Sequence, residues 1–159
     1  MLGRSPFLLA QLYEVRLEDA LALAIKTIDD GTGFIIGDQT GVGKGRVNAA
    51  IIRYAIKNGM TPIFVTEKPN LYSDMVRDLS DIGMTGFTPL VTNQNLSGQE
   101  AIETPDGRKI TTGSNHNQVL THAASKGKLE GPDGRKYDAI FTTYSQLQEV
   151  KKAKTPRHA

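Results

Sequence analysis

The chain has 159 residues, 38% of them hydrophobic and 23% charged, which suits one globular domain with its own core and excludes a fibrous or wholly disordered protein. Nineteen Lys and Arg against 17 Asp and Glu leave a formal charge of +2, so bulk electrostatics makes no case for nucleic-acid binding. The absence of cysteine removes disulfides, thiolate metal sites and cysteine nucleophiles together, and no apolar run has the length of a membrane span or a signal-peptide core, so a cytoplasmic protein with no membrane partner is expected.

Residues 1–16 read as an N-terminal extension. Leu17, Leu21, Ala24, Ile25 and Ile28 then fall on one face of a helix, which the stretch Asp29-Asp-Gly-Thr32 breaks. Phe34, Ile35 and Ile36 read as a short buried strand that delivers the chain into Gly37-Asp-Gln-Thr-Gly-Val-Gly-Lys-Gly-Arg46. This is the pattern of a phosphate-binding loop. Gly37, Gly41 and Gly43 let the backbone curl with its N–H groups inward, Lys44 reaches the outer phosphates, and the following helix adds the positive end of its dipole. Val47, Ala50, Ile51, Tyr54 and Ala55 recur at helical spacing and Asn58-Gly59 supplies a stop, so the loop has the strand before it and the helix after it that its mechanism requires. The candidate nucleotide-binding residues are Asp38, Gln39, Thr40, Gly41, Val42, Gly43, Lys44, Gly45 and Arg46, with Lys44 as the candidate catalytic residue. Two positions depart from the usual pattern. Asp38 stands where Gly or Ala is common, and Gly45 stands where a Ser or Thr hydroxyl normally binds magnesium, which removes one expected protein ligand of the metal.

Pro62 to Thr66 is a short β-branched run suited to a buried strand of a parallel sheet. Asn70 is placed to cap a helix whose buried stripe is Leu71, Met75, Val76, Leu79 and Ile82, with Gly83 ending it. Phe87 to Val91 reads as a third strand. From residue 92 to 136 the composition turns polar, as an insertion, and Pro-Asp-Gly-Arg-Lys occurs twice, from Pro105 to Lys109 and from Pro132 to Lys136. Proline presets φ, Asp bonds the backbone ahead of it and Gly accepts positive φ, so both copies read as hairpin tips whose Arg108, Lys109, Arg135 and Lys136 are solvated. His116 and His122 have no ligand partner at a metal spacing. Tyr137 to Tyr144 is a further strand leading into a short helix, and residues 151–159 form a basic, disordered tail.

Strands alternating with helices imply an α/β fold: a doubly wound, three-layer parallel sheet with helices on both faces, occupying residues 17–150. Ligands gather at the carboxyl ends of such strands. Gly37 to Arg46, Thr66 to Asn70 and Thr142 to Ser145 lie at those ends and are expected to line one rim.

With these segments in hand, Gly-Phe-Ile-Ile-Gly-Asp-Gln-Thr-Gly-Val-Gly-Lys-Gly-Arg closely resembles the nucleotide-binding motif of the strawberry notch-like group of superfamily 2 helicases, which includes phage antirestriction proteins. That motif also carries Gly after its lysine. Asn70 to Gly83, with its Arg-Asp-Leu and Asp-Ile-Gly, resembles the family segment after the second strand, and Phe141-Thr-Thr-Tyr-Ser-Gln-Leu147 resembles the motif where the first helicase lobe touches the nucleic-acid backbone. The resemblance runs from about Leu17 to Leu147, interrupted by the polar stretch after Val91. It implies a RecA-like first lobe that binds ATP with Mg2+ and contacts DNA through Lys68, Asn70, Thr142, Thr143 and Ser145. Two family features are missing. Arg16 stands where the adenine-reading glutamine is expected, with Gln11 nearby but poorly placed, and no Asp-Glu pair follows Phe141.

The reading that follows is the N-terminal part of a helicase or translocase-like ATPase that holds nucleotide phosphates and, by itself, hydrolyses ATP poorly, because a metal-organising acid, a placed water and an opposing arginine are each worth orders of magnitude in rate. The alternative is a complete small protein acting as a non-catalytic binding module that pairs with a separately encoded remainder of the helicase. A P-loop kinase is disfavoured, since such enzymes keep the hydroxyl that Gly45 lacks.

Overall fold

The structure, a computed structural model, describes residues 17–36, 43–94, 96–98 and 101–148. In chain order the elements are α1 (Leu17–Asp29), α2 (Lys44–Lys57), β1 (Ile63–Thr66), α3 (Leu71–Asp81), β2 (Pro89–Val91), β3 (Ile102–Glu103), β4 (Lys109–Ile110), α4 (His116–Lys126), β5 (Ala139–Thr143) and α5 (Tyr144–Leu147). The strands β1, β5 and β2 form a parallel sheet in that order, with Ile63 opposite Ile140, Thr66 opposite Thr143, and Val91 opposite Phe141. Parallel neighbours need crossovers. The first, from β1 to β2, runs through α3. The second, from β2 to β5, runs through the β3–β4 hairpin and α4.

The last strand in sequence is thus the middle strand in space. Its Ala139, Phe141, Thr142 and Thr143 are all buried, as expected for a parallel strand covered on both faces. Because successive side chains alternate across a strand, Leu90 and Val91 serve different layers. Val91, Ala139 and Phe141 join Ala49 and Ile52 of α2 and Tyr72, Met75, Val76 and Leu79 of α3 in the main core. Leu90 joins Val119, Leu120 and Ala123 of α4 in a second cluster. Helices therefore flank the sheet on both sides, and the α/β, three-layer expectation holds for the described residues.

Helix α2 is wedged between two neighbours. It buries Val47, as expected, but with Ala49 and Ile52, while Ala50, Ile51, Tyr54 and Ala55 are only half-buried and Ile51 lines a cleft beside α1. The Arg53 guanidinium donates to the Ile82 carbonyl at 2.6 Å and closes the end of α3 against α2. In α3 the buried stripe is Tyr72, Met75, Val76 and Leu79, whereas Leu71, expected inside, is 42% exposed. The spacing i, i+3, i+4, i+7 is satisfied from Tyr72, and the phenol hydroxyl finds a partner inside, so the ring displaces Leu71 from the core. Asn70 precedes α3 as expected but makes no side-chain cap. Its backbone is already helical, and the first N–H groups of α3 bond instead to the carbonyls of Lys68 (3.3 Å) and Pro69 (3.0 Å).

The strand expected at Phe34 to Ile36 does not form. No ladder reaches residues 32–36, Ile35 is 66% exposed, and among the described residues β1 is an edge strand with Ile63 60% exposed. A three-residue apolar run is a strand only when a neighbour offers its backbone, and here the run lines the cleft beside α1 and α2 instead.

Both Pro-Asp-Gly-Arg-Lys copies do turn the chain. The first joins β3 to β4, antiparallel, with Gly107 at φ +81°; the second is closed by a Glu130–Lys136 bridge, with Gly134 at φ +77°. The stretch 92–136 carries more than turns, however. Leu96, Ala101 and Ile102 are buried, and α4 is the crossover helix of the sheet.

Truncating Leu79, which is fully buried, is expected to lower unfolding free energy by about 3 kcal/mol in chemical denaturation, and truncating exposed Leu71 by less than about 1 kcal/mol. At the first turn, the Thr104 hydroxyl and then Arg108 hold the Asp106 carboxyl down to about 2 from its ordinary 3.8. A depressed carboxylate stabilises the turn above pH 3.8 and loses that contribution as pH falls through about 2. An NMR titration of the Asp106 carboxyl should find its midpoint well below 3.8.

Candidate functional site

The described half of the glycine loop begins at Gly43, whose φ of +82° and ψ of 20° lie in the left-handed region that a side chain would strain. From there its carbonyl accepts the N–H groups of Arg46 (3.0 Å) and Val47 (3.3 Å), which starts α2. Lys44 opens the helix. It lies half-buried in a cleft of about 550 Å³ with Gly33, Phe34 and Ile36 on one side and Asn48 and Ile51 on the other. The first turn of α2 contains no acidic residue, so its own helix leaves the positive dipole end uncompensated. Asp38, Gln39, Thr40, Gly41 and Val42, and also Gln11 and Arg16, lie outside the described residues.

A carboxylate arrives at this turn from the neighbouring helix. A Cβ added at Gly45 would overlap Asp78 Oδ2 and stand 3.1 Å from Asp78 Cγ, so any larger residue at position 45 requires Asp78 to move. Arg46, the last loop candidate, points across to α3 and pairs with Asp81 at 3.8 Å; both side chains are largely exposed, so this contact is weak. Gly45 offers no hydroxyl, and a carboxylate oxygen of Asp78 fills the space into which a side chain there would project. Among the described residues no group of three or more His, Asp or Glu gathers as a metal cage.

The second part of the candidate site is the carboxyl rim of the sheet. Thr66 and Thr143 are opposite each other in the ladder, so the turn carrying Lys68 and Asn70 and the turn carrying Ser145 leave the sheet side by side. Lys68, Asn70 and Ser145 are exposed. Thr142 and Thr143 are each 1% exposed, and their hydroxyls serve the interior. Thr92 donates to the Thr142 hydroxyl at 2.7 Å, and the Asn93 amide donates to Thr143 at 3.1 Å. Tyr72 donates to Asn93 Oδ1 at 2.7 Å, and the hydroxyls of Thr143 and Ser145 are 2.9 Å apart. His116 Nε2 donates to the Thr92 carbonyl at 3.2 Å and ties the start of α4 to the same strand end. Burial pushes the Tyr72 phenol far above its ordinary value, so it stays a neutral donor.

The structure thus brings Lys68, Asn70 and Ser145 to one open rim, and takes Thr142 and Thr143 out of reach of a ligand into the network that shapes that rim. Asn93 and Tyr72, which hold this network, are the residues that sequence reasoning missed. Thr92-Asn93-Gln94, a polar run directly after an apolar strand, was the available signal for the first.

No helix among the described residues is long and apolar enough to cross a membrane. Comparison with curated proteins finds 44% identity over 61 residues to protein strawberry notch of Drosophila melanogaster, covering 36% of this chain and 4% of that protein. It also finds 39% identity over 71 residues to protein FORGETTER 1 of Arabidopsis thaliana, covering 42% of this chain and 6% of that one. The chain therefore spans only a small fraction of the length of these relatives. No solved structure matches it. The family model described as P-loop containing NTP hydrolase pore-1 matches residues 10–158, nearly the whole chain, and the chain belongs to that family as a strawberry notch-like N-terminal region.

Proposed function

We propose that this chain is the nucleotide-holding part of the first motor lobe of a DNA helicase or translocase-like ATPase, binding ATP with Mg2+ through Asp38 to Arg46. The observation that carries the reading is Gly43 in the left-handed region immediately before Lys44 opens α2, in a chain of the P-loop NTP hydrolase family. A polyphosphate is held by the first N–H groups of a helix with an ammonium beside them, and a lysine opening a helix after a positive-φ glycine supports that reading. Magnesium, when bound with the nucleotide, neutralises charge on the outer phosphates. The residues of this chain hold and orient: Lys44 meets the phosphates, Gly43 admits the tight turn, and Asn48 and Ile51 wall the cleft.

Tight holding and fast cleavage are different demands. Hydrolysis needs an acid that organises the metal, a positioned water and an arginine from the opposite side, and no Asp-Glu pair follows Phe141 in this sequence. The 159-residue chain is therefore read as a phosphate binder with little turnover of its own. On the rim, Lys68, Asn70 and Ser145 supply sequence-independent contacts to a DNA backbone, and the buried Thr142 and Thr143 act by fixing the turn that presents Ser145.

Titration with a fluorescent ATP analogue should show binding by the wild type and a loss of about tenfold or more in Lys44→Ala, the worth of a charge-assisted hydrogen bond. An unchanged affinity would remove the phosphate-loop reading, and robust phosphate release by the purified chain would remove the low-turnover reading. In anisotropy measurements with single-stranded DNA, Lys68→Ala should weaken binding and lower the salt slope by about 1. Ser145→Ala should weaken binding without changing that slope.

A further inference from the structure

A row of four polar side chains runs from the interior to the open rim. Tyr72 of α3, Asn93 after the end of β2 and Thr143 at the end of β5 are buried, and Ser145 is exposed. Tyr72 Oη lies 2.7 Å from Asn93 Oδ1, Asn93 Nδ2 lies 3.1 Å from Thr143 Oγ1, and Thr143 Oγ1 lies 2.9 Å from Ser145 Oγ. Every member can both give and receive a hydrogen bond, so distances alone allow the row two directions. Only one of them satisfies every buried hydrogen.

The buried end decides. The Tyr72 ring is enclosed by Phe64 and Phe141, with centroids 6.4 and 5.3 Å away, and burial keeps its phenol protonated. Its hydrogen needs an acceptor, and among the described residues the one within reach is Asn93 Oδ1. With the amide oxygen turned to Tyr72, the amide nitrogen turns to Thr143 and donates to it. Thr143 then has its own hydrogen to place. A donating amide nitrogen cannot accept it, and the remaining partner among the described residues is Ser145 Oγ. Ser145 therefore receives a bond from inside and keeps its hydrogen for a partner outside. The reverse direction leaves the Tyr72 hydrogen buried without an acceptor, at the full desolvation cost of that group.

We propose that Tyr72 and Asn93 are positioning residues that set Ser145 as a hydrogen-bond donor at the rim, where it takes an acceptor oxygen such as a nucleic-acid phosphate. The inference rests on the proposed role of Lys68, Asn70 and Ser145 as backbone contacts. A phosphate oxygen is a pure acceptor, so a hydroxyl whose hydrogen is free meets it without breaking an internal bond. A hydroxyl bonded inward through its hydrogen presents only lone pairs and opposes the same group. Asn93 also links α3, which follows the turn of Lys68 and Asn70, to the strand that leads into Ser145. One buried amide thus serves both halves of the rim.

The test is an anisotropy titration of the 159-residue chain with fluorescent single-stranded DNA, with far-UV circular dichroism melts confirming that each variant is folded. The quantity read is the cost of Ser145→Ala in three backgrounds: wild type, Tyr72→Phe and Asn93→Asp. In the wild type that cost should be about fivefold to tenfold, the worth of a hydrogen bond to a charged acceptor. Tyr72→Phe removes the hydrogen that fixes the amide and lets it turn over, and Asn93→Asp replaces the amide with a carboxylate that accepts from both sides. Each reverses the row, so in either background Ser145→Ala should cost less than about twofold. The added charge of Asn93→Asp cancels, because both members of that pair carry it. A merely structural part for Tyr72 and Asn93 would weaken binding in their own variants but leave the cost of Ser145→Ala at its wild-type size. Retention of the full cost in a folded Tyr72→Phe or Asn93→Asp background overturns the proposal. A wild type that binds no DNA, or that loses nothing in Ser145→Ala, overturns the proposed rim contact and this inference with it.

Discussion

Phe141 meets the rings of Phe64, Tyr72 and Phe87 at centroid distances of 5.1, 5.3 and 5.6 Å, in tilted geometries that aromatic pairs favour. These partners come from β1, from α3 and from the approach to β2, so one side chain joins the elements whose spacing defines the rim. The order of the sheet makes this dependence unavoidable. Strands β1 and β2 do not pair with each other; each pairs only with β5, which arrives some 50 residues after β2. The parallel sheet is complete only when the last strand inserts between the first two, and the helices above it have no shared floor before then. Contacts of such long sequence separation are entropically demanding to close, and they make the middle strand the natural point of cooperativity.

The main helices and the strand sequence were legible because each rests on local chemistry. Asn58-Gly59 and Gly83 stop helices for reasons contained within a few residues, and the two Pro-Asp-Gly-Arg-Lys turns are specified by their own backbone preferences. The errors fall where a neighbour decides. Phe34 to Ile36 has strand composition, but composition supplies no ladder partner. Leu71 and Tyr72 compete for one inward position, and the winner depends on Asn93, 21 residues away, accepting the phenol hydroxyl. The polar composition of residues 92–136 hid a crossover helix, because α4 buries only Val119, Leu120 and Ala123 and leaves the rest half-buried or exposed.

The candidate site divides along the same line. The turn at Gly43 and the helix that Lys44 opens were readable, because a glycine at positive φ ahead of a helix is a local backbone device. The hydroxyls of Thr142 and Thr143 were assigned to the right strand end but to the wrong direction, since a strand buried on both faces points its side chains into layers rather than at a ligand. They bond within the strand end instead, Thr142 with Thr92 and Thr143 with Asn93 and Ser145, so that the exit of β5 is tied to the end of β2. Asp78 was invisible for a different reason: its partner is a glycine, and an absent side chain leaves no pattern to read. Two of the three stretches by which the chain resembles strawberry notch-like proteins, the loop and the segment from Asn70 to Gly83, each contribute one side of that contact.

Among the described residues no strand pairs with the flank of β1 away from β5, which gives the sheet a direction in which it can grow. Half of the backbone donors and acceptors of this strand face away from β5, beside an Ile63 that is 60% exposed, and such a flank favours any extended segment of matching polarity. A strand added there would cover Ile63 and extend the sheet beyond β1. Open strand edges in general invite pairing between copies of a chain, which is why proteins cover or charge them.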